Sequence, residues 1–80
     1  MRLWIGNIAP ETTDEELQAF LQKYGAPAFT VIQQVPGDGS RPAVMLEFEG
    51  ADSMALYAVA QRLNGVYWKE RELLIQVIKQ

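Results

Sequence analysis

The chain has no cysteine and no histidine among its 80 residues. Without thiols, no disulfide can brace the fold and no thiolate can hold zinc. Without histidine, the commonest general base is missing too. Ser40 and Ser53 have no base partner that would activate them, and the carboxylates fall mainly on one helix and in turns. An enzyme is therefore not expected, and neither is a cofactor or a bound metal. No apolar run is long enough to span a bilayer, and no signal-peptide pattern opens the sequence. The expected address is intracellular, cytoplasmic or, in a eukaryote, nuclear, with no membrane partner. No linker, charge block or low-complexity run divides the chain, so residues 1–80 read as a single domain. A net charge of −3 argues against strong nonspecific nucleic-acid binding, which needs cations to neutralise phosphates. It leaves room for a local basic patch.

What is present is an ordinary globular composition, 49% hydrophobic, in a periodic pattern. Residues 2–6 read as a strand, with Leu3 and Ile5 on one face and Trp4 on the other. Thr13-Asp14-Glu15-Glu16 has the form of a capping box opening a helix. Leu17, Phe20, Leu21 and Tyr24 continue it as one apolar stripe, and Gly25 closes it. Residues 29–35 read as a second strand whose facing is ambiguous, because neither alternating set is cleanly apolar. The turn cluster 36–40 joins it to a strand over 43–48, with Val44, Leu46 and Phe48 on one face. Asp52 or Ser53 can cap a second helix with the stripe Leu56, Val59, Ala60 and Leu63, ended by Asn64-Gly65. A last strand covers 73–78, after a short extended piece at 66–68. The order β-α-β-β-α-β predicts an α+β, ferredoxin-like sandwich: a four-stranded antiparallel sheet with two helices on one face. The other face stays open, and Trp4 falls on it.

Several short stretches, in this order and spacing, carry a family resemblance across essentially the whole chain. They are Leu3-Trp4-Ile5-Gly6-Asn7-Ile8, Tyr24-Gly25, Leu63-Asn64-Gly65 and the Arg71-x-Leu73-x-Ile75 lead-in to the last strand. Together they resemble the RNA-recognition motif (RRM) family, whose first-strand hexamer has a base-stacking aromatic at its second position, here Trp4. The family's third-strand octamer, K/R-G-F/Y-G/A-F-V-x-F/Y, is degenerate here. The aligned stretch runs from Arg41 to Phe48; both ends fit, but Ala43 and Met45 replace the two middle aromatics, Pro42 replaces the glycine, and Glu70 stands where a glycine usually precedes the last strand.

The resemblance implies weak single-stranded RNA binding on the open face. Each base–aromatic stack is worth about 1–3 kcal/mol, so losing two removes roughly 2–6 kcal/mol. Trp4 is then the main platform, with Met45, Ala43, Leu74 and Gln76 around it and Asn7 at the strand end. Arg2, Arg41 and Lys79 would meet phosphates; Arg71 and Lys69 lie in neighbouring segments. The alternative is a protein-interaction module or homodimer that covers the same apolar face. The intact hexamer favours nucleic acid. Trp68 or Tyr67 is expected to plug the core edge between the second helix and the last strand.

Overall fold

The computed structural model describes residues 2–35, 42–50 and 52–78. In chain order the elements are β1 (Arg2–Gly6), α1 (Asp14–Lys23), β2 (Val31–Val35), β3 (Ala43–Glu47), α2 (Ser53–Leu63), β4 (Tyr67–Trp68), β5 (Arg71–Glu72) and β6 (Leu74–Ile78). The long strands form one antiparallel sheet in the order β2-β3-β1-β6, and β4 pairs with β5 as a separate hairpin. This is the expected α+β, ferredoxin-like arrangement.

Local chemistry fixes both helix ends. Thr13 is the N-cap of α1: the Glu16 N–H donates to Thr13 Oγ1 at 3.1 Å, and the Thr13 N–H donates to Glu16 Oε1 at 3.0 Å. At the other end, the Gly25 N–H donates to the Gln22 carbonyl and the Ala26 N–H to that of Leu21. These paired bonds need a left-handed residue after the C-cap, and Gly25 takes φ 92°. Of the two candidate caps for α2, Asp52 is the one used, its carboxylate accepting from the Met54 N–H at 3.0 Å.

The core lies between the helices and the inner face of the sheet. Leu3, Ile5, Leu17, Leu21, Leu46, Leu56, Leu63 and Leu73 are all fully buried or nearly so. Fully burying each such side chain stabilises by about 1.5–3 kcal/mol. Val44 and Phe48 are buried on the inner face with Leu46, as the alternation predicts.

The second strand departs from expectation. It begins at Val31, not at residue 29, because the chain bends at Thr30, whose N–H and Oγ1 both donate to the Glu47 carbonyl. Phe29 and Ile32, three apart, both pack on the core, which a regular strand forbids. The bend resets the alternation, and Val31, Gln33 and Val35 turn outward. The last strand likewise begins at Leu74; Leu73, just before it, is fully buried, and its N–H donates to the Val66 carbonyl.

The two aromatics before the last strand sit differently from each other. Trp68 packs against the core and stacks on Phe20 of α1, with ring centroids 4.3 Å apart and planes at 16°. Tyr67 plugs nothing: it is 72% exposed. The hairpin turn places Lys69 and Glu70 at φ 54° and 66°. Two consecutive left-handed residues make a tight two-residue turn, in which glycine would be less strained than Glu70. Lys69 is held there by an ion pair to Glu16 at 2.8 Å and lies 5.4 Å above the Trp68 ring.

Candidate nucleic-acid interface

Antiparallel register arranges the open face of the sheet in rows. Trp4 stands opposite Met45 on one side and Gln76 on the other, and Gln33 lies beyond Met45. The central row is therefore Gln33, Met45, Trp4, Gln76: a ring and a thioether flanked by two amides. One row toward the strand's end, Gly6 faces Leu74, and Ala43 faces Val35. The row on the other side holds Val31, Glu47, Arg2 and Ile78. Among the described residues of these rows, Arg2 is the only cation and Glu47 the only anion.

Trp4 is half-buried, and its indole leans along the strand over Gly6. A Cβ at Gly6 would collide with Cη2 of Trp4 and lie 2.8 Å from Cζ3 and 3.0 Å from Cζ2. A shallow recess lined by Trp4, Gly6, Asn7, Glu72 and Leu74 opens beside the ring. Leu74 is 51% exposed, Gln76 is exposed, and Met45 is half-buried next to Trp4. These four side chains form one patch, as the spacing implied.

Other expected site residues are placed differently. Ala43 belongs to the open face by register and, at 4% exposed, forms part of its floor. Asn7 takes the left-handed conformation at φ 62°, and both ends of its amide are occupied. Its Nδ2 donates to the Glu72 carbonyl at 2.9 Å, and its Oδ1 accepts from Arg71 Nη1 at 3.4 Å. Arg71 Nη1 also donates to the Ile8 carbonyl. Asn7 and Arg71 thus clasp the end of β1 to β5. Lys69, bound to Glu16 of α1, belongs to the helix layer. Arg41 and Lys79 lie outside the described residues.

The structure adds members that the residue pattern did not single out. Val31, Gln33 and Val35 join the face once the Thr30 bend sets the β2 alternation. Val31 and Val35 are 49% and 39% exposed. Gly6 joins it as the surface beneath the indole; a glycine inside a strand was the available signal.

Comparison with solved structures finds the same architecture in several RNA-binding domains. Pes4 RRM3 superposes with a TM-score of 0.78 at 16% identity, covering 99% of this chain and 92% of that one. The structure of the Rna15 RRM with bound RNA (GU) gives 0.73 at 17% identity, over 99% and 83% of the two chains. The three N-terminal RNA-binding domains of the yeast splicing factor Prp24 give 0.79 at 20% identity, over 99% of this chain and 33% of that one. At such identities the likeness is one of fold. No curated protein sequence matches. The family model described as RNA recognition motif matches residues 3–74. With that match spanning the hexamer on β1, both capped helices and the start of the last strand, the chain belongs to the RNA recognition motif family.

Proposed function

We propose that this domain binds single-stranded RNA weakly on the open sheet face, with Trp4 as the principal stacking platform. The observation that carries the reading is the position of Trp4. It stands at the centre of the uncovered face, in the family's aromatic position, with no ring packed against it among the described residues. Met45 and Leu74 give a base apolar contact on either side, though neither has a π-face. The exposed amides of Gln33 and Gln76, in the same row as Trp4, each carry a donor and an acceptor for a base edge. Arg2, with Arg41 and Lys79, supplies phosphate contacts. With a single stack and few cations, binding in the micromolar range or weaker follows, with a shallow salt dependence. The domain works by binding and not by catalysis.

The exposed apolar side chains Val31, Val35 and Leu74 favour a second reading, a protein or a second copy covering the same face. An amide-shift titration with a pool of short, random single-stranded RNA at low salt separates the two. Saturable shifts along residues 3–6 and 43–47 that vanish in Trp4→Ala, with the fold unchanged, support RNA binding by this platform. No shift there at millimolar RNA removes the reading. Concentration-dependent sedimentation of the free domain would then point to a second copy on this face.

A further inference from the structure

We infer that Gly6 is the seat of the Trp4 platform: its missing side chain makes the space in which the indole lies over the strand. The inference rests on Trp4 serving as the platform. Four described glycines have their surroundings resolved, and three of them, Gly25, Gly50 and Gly65, have φ of 92°, 71° and 87°. Those positions favour glycine for the backbone's sake. Gly6 is different. Its φ is not in the left-handed region, so any residue could follow its path as the last position of β1. A glycine there weakens a strand and needs another reason.

The reason is visible above it. Successive odd or even positions on one strand share a face, so Gly6 is the neighbour of Trp4 along β1. The indole fills the volume that a side chain at residue 6 would occupy, and Gly6 is itself buried although it faces the open side. The atoms over Gly6 are Cη2, Cζ3 and Cζ2, the outer edge of the six-membered ring. A phenylalanine at residue 4 would be shorter and lack that outer ring edge. The pairing is thus specific: the largest side chain on this face is accommodated by the absence of the next one. Gly6 acts through Trp4 and is a positioning residue. The consequence is an indole held low along the strand, beside the recess bounded by Asn7, Glu72 and Leu74.

The test combines Gly6→Ala with Trp4→Phe, using the same random single-stranded RNA pool. In the Trp4 protein, Gly6→Ala is expected to move the Trp4 indole N–H resonance, assigned with Trp68→Phe, while Tm stays close to that of the parent. RNA affinity should fall at least about fivefold, up to the roughly 100-fold of a lost stack. In the Trp4→Phe protein, which keeps a stacking face, the same Gly6→Ala change should alter affinity by less than about twofold. An equal loss in both backgrounds overturns the inference, because the methyl group would then act without the indole. So does an unmoved indole resonance. If the parent protein binds no RNA, the proposed function fails, and the resonance alone decides whether Gly6 seats the ring.

Discussion

Trp4 and Trp68 are the chain's two tryptophans, and each is half-buried, yet they do opposite things. Trp68 lies face to face with Phe20, which in turn meets Tyr24 at 5.1 Å, and Lys69 sits above the ring. Its surface is matched by groups from its own chain. Trp4 has a thioether and an amide beside it and a glycine beneath it, but no ring among the described residues. The difference is one of topology. The helix layer covers one side of the sheet and gives Trp68 its partners; nothing in the described chain covers the other. Two half-buried indoles thus have unequal surroundings: one is matched by rings of its own chain, and the other is left uncovered by the described residues.

Substitution should separate these roles. Trp68→Ala is expected to produce the largest loss of stability, about 2–4 kcal/mol in denaturant unfolding, from lost burial and the lost ring pair. Trp4→Ala should cost less in the same assay, about 1–2 kcal/mol, since its half-buried indole has no partner ring to lose and leaves no closed cavity. Equal losses would mean that the two rings are both structural. Next in size is Asn7→Ala, at about 1–2 kcal/mol, because it loses the bond to the Glu72 carbonyl and strains a left-handed residue. Asn7→Gly should recover the backbone part, and neither change should alter RNA affinity beyond its effect on folding. An Asn7→Ala protein that is fully stable yet binds RNA poorly would return Asn7 to the interface.

The smallest effect concerns the Lys69–Glu16 pair beside Trp68. The Lys69 ammonium, and then the Thr13 N–H, hold the Glu16 carboxyl below its ordinary value of 4.5. A carboxylate with a depressed folded-state pKa contributes stability above its unfolded pKa and loses it as pH falls through the folded value. Glu16→Gln should therefore lie slightly below the parent in Tm at neutral pH, and the gap should close on acidification below 4.5. A gap that is constant with pH would show that the pair's charge contributes nothing.

Much of this contrast is legible in the sequence alone. The capping box at Thr13, the stripes on both helices and the alternation around Trp4 are local signals, and each appears as read. The misplacements share a different cause: each depends on a contact distant in sequence. The β2 facing was obscured by Phe29, which looks like a strand residue until the Thr30 bend to the Glu47 carbonyl removes it from the strand. Trp68 at the core edge is legible, but its stacking partner Phe20 is not, because the sequence shows that a ring needs cover and not which ring supplies it. The clasp made by Asn7 was hidden for the same reason, since its partners, Glu72 and Arg71, lie 65 and 64 residues away.

The two outer strands of the sheet are unequally protected. On β6, the Ile75 N–H donates to the side-chain oxygen of Asn64 at 3.0 Å, so the end of α2 occupies part of that border. β2, Val-Ile-Gln-Gln-Val, carries no charge and no proline, and β3 is its only described strand neighbour. An uncharged border of this kind is a template on which another chain can add a strand. Concentrated samples of the domain should therefore self-associate first along β2, and one lysine at Gln33 or Gln34 is the simplest means of keeping it in solution.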